Sequence, residues 1–369
     1  MFRRILSLIK KEFIAIWADP RSRILIIVPP LLQLFIFAHA ATMEVRNLHV
    51  AVLDKSNTLQ SRELTADFAN SRWFKKIIYV KDENELAKLI RQQKVQMGLS
   101  FNTDFATKLL AQKTADVQVI VDGRQTNVAA ITNGYASEII AQYEAKSFPK
   151  RYKSVPRINL EVRNWYNPNL IFLWYTVISL ISILATTIAL VLTALSIARE
   201  RELGTFDQLI VSPLSSLEIL IGKTVPPLII SIVLSSIMTL AATFAFQIPF
   251  TGSIWLFWMG MFFYLLSILG VGLFISSICK TQQQAILGAF TFQMPAILLS
   301  GFISPVEEMP IFFQYFTYVN PIRFFLVIMK GLFLKAMPLH DVAQNIIPLI
   351  FIAVLTLCVA TWTFKRNLD

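Results

Sequence analysis

Six uncharged apolar segments constrain the fold of this 369-residue chain more than any other feature. A helix needs about 20 apolar residues to cross the hydrocarbon core of a bilayer, and each segment is close to that length. Charged residues make up 15% of the chain, against about 25% in a soluble domain. The sequence therefore predicts an α-helical polytopic membrane protein with six transmembrane helices, at residues 25–42, 170–198, 224–247, 253–279, 285–304 and 346–364.

A seventh apolar stretch, residues 311–334, is interrupted by polar and charged side chains. Asn320 and Pro321 break it near its middle, and Arg323 and Lys330 follow. A charge at the centre of a lipid-facing helix costs at least about 2.5–3.5 kcal/mol, which disfavours a full crossing. We expect residues 305–340 to form a re-entrant helical hairpin at the outer face instead.

Basic residues near both ends of the chain predict its orientation. Lysines and arginines cluster before the first apolar segment and after the last one, which places both termini in the cytoplasm. Residues 1–20 show an apolar helical stripe and are predicted to form an amphipathic helix on the inner leaflet, followed by transmembrane helix 1 at 21–42. A signal peptide cleaved after Ala40 is the alternative. It is disfavoured because the region before its apolar core is unusually long.

A soluble α/β domain is predicted between the first and second crossings, at residues 43–168. Alternating strands and helices favour a largely parallel sheet. This orientation places the domain outside, because long domains translocate largely regardless of their charge. The expected strands are residues 49–54, 76–80, 95–101 and 117–122, and the expected helices are 58–70, 83–93, 103–112 and 127–148.

The sequence of this domain lacks catalytic and metal-binding patterns. Asp54, Asp104 and Asp122 lie at strand ends, where α/β folds often place functional groups. However, His49 is its only histidine, and no glycine-rich phosphate loop, nucleophile elbow or metal-ligand spacing occurs. Its basic residues alternate with acidic ones without an aromatic stripe, so no nucleic acid partner is expected. The pattern favours a docking or gating role over catalysis.

The polar loop, residues 199–223, separates the second and third crossings. Residues 222–224 resemble the end of a phosphate-binding loop, but Leu217 stands where that motif needs glycine. Lys223 is therefore expected to anchor the third crossing at the cytoplasmic surface. Gly204 is expected to relax the backbone after the second crossing, and Ser215 or Ser216 to cap the next helix.

The same loop is predicted to carry an apolar knob with a carboxylate rim. We expect it to dock into a cleft of another protein. The alternative, in which the loop only lies on the inner leaflet, is disfavoured because carboxylates would face anionic lipid. The knob comprises Phe206, Leu209 and Ile210, and its rim comprises Glu200, Glu202 and Asp207.

A family resemblance rests on this loop. Residues 200–209 (ERELGTFDQL), then 211–214 (VSPL) and 218–223 (EILIGK), resemble the cytoplasmic signature of ABC-2 type exporter permeases. Lys11-Glu12-Phe13 near the N-terminus and residues 299–302 (LSGF) extend the resemblance along the chain. Within the family, residues 121–135 are similar to the multidrug permeases of Gram-negative inner membranes, the YbhR/YbhS/YhhJ group.

The resemblance implies a transport subunit that is not itself an enzyme. Such a permease moves a hydrophobic or amphipathic, drug-like compound out across the bacterial inner membrane, with residues 43–168 in the periplasm. It binds no cofactor, because ATP and Mg are held by a cytosolic ABC ATPase subunit. A second permease copy, membrane lipids, a periplasmic adaptor and an outer-membrane channel are the other implied partners.

The resemblance also implies residue roles. Coupling to the ATPase is assigned to Glu200, Glu202, Gly204, Thr205, Phe206, Asp207, Leu209, Ser212, Pro213 and Glu218, with Lys10, Lys11, Glu12 and Phe13 on the interface helix. From their character, Phe290, Phe292, Gln293 and Met294 are expected to line a substrate path, although such residues are more often ordinary core. Glu307, Glu308, Asn320 and Arg323 are expected to cap its exit.

Three alternatives remain open at this point. A lipid or polysaccharide exporter of the same family fits the same signature. An ion-coupled carrier is disfavoured because such carriers rely on ionisable side chains within the membrane, which these segments almost lack. A receptor is disfavoured because no cytoplasmic segment can hold a signalling domain.

Overall fold

The computed structural model describes residues 2–18, 20–40, 47–111, 113–124, 126–147, 165–167, 171–206 and 214–366. The chain divides into two compact units. One unit comprises Met1–Ala41 and Arg163–Asp369, and the other comprises Thr42–Val162.

Two helices begin the larger unit, α1 (Phe2–Ala18) and α2 (Pro20–Ala40). Helix α1 buries Leu8 and Glu12, whereas Lys10 and Lys11 are exposed. Its position on the inner leaflet stays a prediction. In α2, the apolar stretch described as Ile27–His39 is shorter than a full crossing requires.

The smaller unit is built on a four-stranded sheet of order β2-β1-β3-β4. Strand β1 is parallel to β2 and β3, and β4 is antiparallel to β3. The predicted strands and helices are present, and the sheet is largely parallel as expected. The elements are β1 (Leu48–Asp54), α3 (Leu59–Ala69), β2 (Phe74–Tyr79), α4 (Glu83–Arg91), β3 (Met97–Phe101), α5 (Phe105–Leu110), β4 (Val117–Val121) and α6 (Thr126–Ser147).

Each face of this sheet has its own hydrophobic core, because successive strand residues point to opposite sides. Helices α3, α5 and α6 cover one face, where Phe68 and Ile139 pack against Val50 and Leu99. Helix α4 covers the other face, where Leu86 packs among Ala51, Leu53, Val80 and Val95.

Within the described residues, the larger unit continues with seven α-helices. Of these, α7, α8, α9 and α13 are long and apolar enough to cross a membrane. Their bounds are α7 (Phe172–Glu202), α8 (Ser216–Phe244), α9 (Ile254–Ile278), α10 (Gln282–Leu298), α11 (Ile311–Thr317), α12 (Pro321–Leu334) and α13 (Leu339–Arg366).

The number of candidate crossings differs from the six predicted. Within the described residues there are four, or five if α11 and α12 together form one. The predicted segment 285–304 falls short because α10 ends at Leu298, where the Ser300 hydroxyl donates to Ile297 O and Gly301 turns the chain with φ +83°.

The predicted break at Asn320-Pro321 is confirmed. Helices α11 and α12 meet there in a bend of 77°. The Asn320 side chain caps α12 by accepting from Ile322 N–H (3.1 Å), and its Nδ2 donates to Ala296 O in α10 (2.6 Å). Re-entry from the outer face stays a prediction.

Helix α7 is the centre of the larger unit, and 89% of its most apolar 18-residue stretch is buried. It packs closely on α9, where a Cβ added to Gly272 would lie 1.8 Å from Thr193 Oγ1. One turn further along α9, Ser276 Oγ accepts from the backbone N–H groups of Ile197 (2.9 Å) and Ala198 (3.1 Å). Gly272 and Ser276, small residues one helical turn apart, therefore allow the close approach of α7 and α9.

Candidate functional site

Four charged side chains meet where α1, α7 and α8 converge; we call them the ion cluster. Lys223 Nζ in α8 lies 2.9 Å from Glu12 Oε1 in α1 and 2.9 Å from Glu200 Oε1 in α7. Lys11 Nζ lies 2.8 Å from the same Glu200 oxygen. The four formal charges sum to zero. The cluster therefore joins three helices without leaving a net charge.

Three members of the ion cluster are deeply buried, and the Lys11 side chain at its edge is 55% exposed. The Lys223 side chain is 1% exposed, and the side chains of Glu12 and Glu200 are 10% exposed each. Lys223 Nζ also donates to Ser196 O (3.3 Å), which leaves little of its charge without a partner. Removing one member of a buried ion pair typically costs about 3–5 kcal/mol, because the remaining charge is left uncompensated. The cluster thus makes the position of α1 depend on α7 and α8.

Close backbone packing brings α1 to this position. A Cβ added to Gly222 would lie 2.3 Å from Leu8 Cδ2, so glycine lets α1 approach α8. Leu8 and Glu12 are one helical turn apart and share the buried face of α1. Gly222 and Lys223 therefore serve this helix contact, whereas the sequence suggested only a membrane-surface anchor at Lys223.

The start of the polar loop ends α7 in a Schellman turn. Gly204 has φ +70°, Thr205 N–H donates to Glu200 O (2.9 Å) and Gly204 N–H donates to Arg201 O (3.2 Å). This confirms that the backbone turns at Gly204. At the other end of the loop, Ser215 and Glu218 form a reciprocal capping box for α8, so Ser215 is the cap.

Phe206 packs inside the chain, whereas the sequence suggested a projecting knob. It is half-buried in an apolar cluster with Ile219 and Leu220, its ring centroid is 6.2 Å from that of Phe364, and the Arg201 guanidinium lies 4.7 Å from it. Glu200 likewise faces the ion cluster rather than a rim. Four further predicted coupling residues, Asp207, Leu209, Ser212 and Pro213, lie outside the described residues, as does Ile210 of the knob.

Glu202 contacts a different helix. Its Oε2 accepts from the backbone N–H of Gln282, the first residue of α10, at 2.7 Å. The neighbouring Arg201 donates to Cys279 O at 3.3 Å. The polar loop is therefore tied to the turn between α9 and α10 as well as to α1.

A cavity of about 500 Å³ lies between α2, α7 and α10. Three of the four residues predicted for the substrate path, Phe290, Gln293 and Met294, line it. Their role in a substrate path stays a prediction. Phe292 lines a separate groove against α9, because its position lies on the other side of the helix. The other lining residues are Pro29, Pro30, Gln33, Phe37, Thr176, Leu180, Ile183, Leu184, Thr187, Ile188, Val191, Ile286, Ile297 and Phe302.

The cavity wall is apolar with few polar groups. Gln293 is 5% exposed, and its Nε2 donates to Thr187 Oγ1. Its Oε1 has no hydrogen-bond partner among the described residues. An unpartnered buried acceptor is costly, and this oxygen is itself enclosed, so the amide would have to turn toward the cavity to accept from a bound compound.

The predicted exit-cap residues do not form one ion-paired group. Glu307 and Glu308 lie in a short 3-10 turn, Val306–Glu308. Arg323 donates to Thr317 Oγ1, and its guanidinium lies 4.5 Å from the Tyr318 ring centroid. In the part of the chain that the structure describes, no ion pair joins Arg323 to either glutamate.

The strand-end aspartates of the α/β unit have local structural partners. Asp54 accepts from Ser61 Oγ (2.7 Å) and Asn57 N–H (2.8 Å). Asp104 pairs with Lys108, and the Arg124 guanidinium holds the pKa of Asp122 below its usual value. Across the described ranges, no three histidine, cysteine or acidic side chains are grouped to hold a metal ion.

Long apolar helices around a largely apolar cavity define a helical membrane permease, and the known relatives agree. The sequence model of the ABC-2 family transporter proteins matches residues 21–362, so the chain belongs to that family. It is 43% identical over the full length of both chains to the probable multidrug ABC transporter permease YbhR of Escherichia coli K12. YbhS of the same strain is 30% identical over 100% of this chain and 98% of its own. The inner membrane transport permease YhhJ of Escherichia coli K12 is 26% identical over 99% of this chain and 98% of its own.

Proposed function

We propose that this chain is the permease subunit of an ATP-driven exporter that moves hydrophobic or amphipathic compounds out across a bacterial inner membrane. The observation that carries the proposal is the apolar cavity between α2, α7 and α10, with the Gln293 amide as a polar group in its wall. A cavity of a few hundred Å³ with few polar groups suits a drug-sized, mostly apolar ligand. The relative YbhR, a probable multidrug ABC transporter permease, supports the same substrate class.

In this proposal the energy comes from a separate ATPase subunit that holds ATP and Mg. Two permease copies pair, as the family implies, and each polar loop receives the ATPase. The ion cluster supports this assignment, because it fixes the interface helix α1 to both ends of the polar loop. Movement of the loop would then carry α1, α7 and α8 together.

The proposed topology has six crossings, with α2 and α10 spanning the membrane beside the four longer helices. Both termini are cytoplasmic, and residues 43–168 are periplasmic. The α/β unit is then the surface available to a periplasmic adaptor that leads to an outer-membrane channel. Deletion of residues 50–160 should abolish adaptor binding and spare ATPase binding; an adaptor that still binds would contradict the assignment.

A cavity-filling variant tests the proposed function. In vesicles that contain the permease and its ATPase, amphipathic dyes should stimulate ATP hydrolysis. Met294→Trp should reduce this stimulation at least about tenfold, because the larger ring occupies the cavity. Leu298→Trp is the matched control, since it lies on the same helix, is exposed and does not line the cavity. Full stimulation in Met294→Trp, or equal loss in both variants, would contradict this role.

A further inference from the structure

We propose that Glu202 is a positioning residue that carries movement of the polar loop to α10, the helix that forms one wall of the cavity. The contact is a charge-assisted hydrogen bond, with Glu202 Oε2 2.7 Å from Gln282 N. This role differs from direct docking of the ATPase, which the sequence suggested for Glu202. It rests on the proposed function, because it assumes that an ATPase moves the loop.

The donor in this contact is the backbone N–H of Gln282, at the start of α10. Thr281 caps the helix by accepting from Gln284 N–H (3.3 Å), and the Gln284 side chain accepts from Lys280 N–H (3.0 Å). The Gln282 N–H is bound by a carboxylate from α7 instead of by its own turn. A negative charge at a helix N-terminus is also favoured by the helix dipole. The bond thus joins α10 to the polar loop and leaves the cap bond between Thr281 and Gln284 in place.

Arg201 holds the same turn from the preceding residue. Its Nη1 donates to Cys279 O (3.3 Å), and its guanidinium lies over the ring of Phe206 in the polar loop. Two consecutive residues of α7 therefore bind the two ends of this turn: Arg201 binds Cys279, which follows α9, and Glu202 binds Gln282, which begins α10. A displacement of the α7 end has to move the turn or break both contacts.

The α10 helix can transmit such a displacement to the cavity. It is continuous from Gln282 to Leu298, and at 1.5 Å per residue Gln293 lies about 16 Å along it. Its buried face toward the bundle carries three small side chains, Ala285, Ala289 and Ala296, and one polar contact to α7, from Gln293 Nε2 to Thr187 Oγ1. Such faces permit the small sliding of packed helices seen in shear motions. A push at Gln282 would therefore shift the wall that holds Gln293.

In this proposal the ion cluster carries movement of the polar loop to α1 and α8, and Glu202 carries it to α10. The cluster binds α1 and α8 to α7, and within the described residues its contacts do not involve α10. The outer part of α10 is held separately, by Asn320 at Ala296 O. In the described part of the polar loop, Arg201 and Glu202 both reach the α9–α10 turn.

The test compares Glu202→Ala, Glu202→Gln and Gln284→Ala in the permease–ATPase complex in vesicles. Gln284→Ala is the matched control, because it removes a side-chain bond of the same turn without touching α7. One readout is dye exported per ATP hydrolysed. The other is the distance between spin labels at Leu287→Cys in α10 and Ile229→Cys in α8, without and with ATP and vanadate, in a Cys279→Ser, Cys358→Ser background.

We expect ATP to change the label distance in the wild type and not in Glu202→Ala. Export per ATP should fall at least about tenfold in Glu202→Ala, because a charged hydrogen bond is lost. Glu202→Gln, which keeps a neutral acceptor, should restore part of both readouts, and Gln284→Ala should stay within about twofold of the wild type. An unchanged distance response in Glu202→Ala, or an equal loss in Gln284→Ala, would overturn the inference.

The two proposals fail differently in this experiment. A wild-type complex that hydrolyses ATP but exports no dye contradicts the proposed function, while the label distance still decides the role of Glu202. A wild-type complex that exports dye without any ATP-dependent change in distance contradicts the role of Glu202 alone. A chain that binds no ATPase contradicts both.

Discussion

Lys223 shows how one side chain can determine the packing of three helices. Its charge is compensated by carboxylates from α1 and α7 rather than by water. A buried cation of this kind is tolerated because both partners are within hydrogen-bonding distance. The position of the interface helix is therefore set by an electrostatic contact in addition to the Leu8–Gly222 packing.

Lys223→Met should destabilise the protein by about 3–5 kcal/mol, because two buried carboxylates would then share only Lys11. Adding Glu12→Gln restores neutrality and should recover much of that loss. Thermal unfolding in detergent, followed by tryptophan fluorescence, measures both effects. Lys280→Met, at an exposed position in the α9–α10 turn, is the control and should change stability little. A double variant as unstable as Lys223→Met would contradict the charge-balance explanation.

Local residue roles could be predicted from the sequence, whereas distant pairings could not. Gly204 and the Ser215–Glu218 cap follow from patterns within a few residues, and the structure confirms both. The Lys223–Glu12 contact joins residues that are 211 positions apart. No local pattern specifies such a pairing, so Glu200 and Lys223 were given surface roles. The position of Lys223 at the start of an apolar segment is the one sequence feature that points to a buried partner for its charge.

At the scale of elements, the strands and helices of the α/β unit were predictable and the extent of the crossings was less so. Alternation of apolar residues identifies a strand independently of its surroundings. The end of α10 depends instead on the hydrogen bond of Ser300 and the left-handed backbone of Gly301. The bend before α12 is held by the hydrogen bond of Asn320 to α10. Length and hydropathy alone therefore overestimated the continuous helix at residues 285–304.

The contact between α7 and α9 gives a prediction at this scale. Gly272→Ala should destabilise the bundle by about 1–3 kcal/mol, because its Cβ would meet Thr193 Oγ1 at 1.8 Å and the helices must separate. Gly260→Ala on the same helix meets Ile328 Cγ2 at 3.2 Å and should cost clearly less. Unfolding midpoints of the two variants provide the comparison. Adding Thr193→Ala to Gly272→Ala should restore part of the stability; no recovery would argue against this contact.

At the scale of the whole molecule, the proposed topology predicts opposite accessibility for two lysines. Lys81 follows β2 in the α/β unit, and Lys280 lies in the α9–α10 turn; both are exposed. In a Cys279→Ser, Cys358→Ser background, Lys81→Cys should react with a membrane-impermeant maleimide in spheroplasts. Lys280→Cys should react only after the membrane is permeabilised. The reverse pattern would contradict both the periplasmic α/β unit and the cytoplasmic polar loop.

ATP-dependent export is the central claim, and its most direct measurement is dye movement in reconstituted vesicles. The permease is incorporated with and without its ATPase, and export of an amphipathic dye is followed with ATP, without ATP and with a hydrolysis-deficient ATPase. We predict export only when a hydrolysing ATPase and ATP are both present. Equal dye movement without the ATPase, driven by an ion gradient, would contradict the claim.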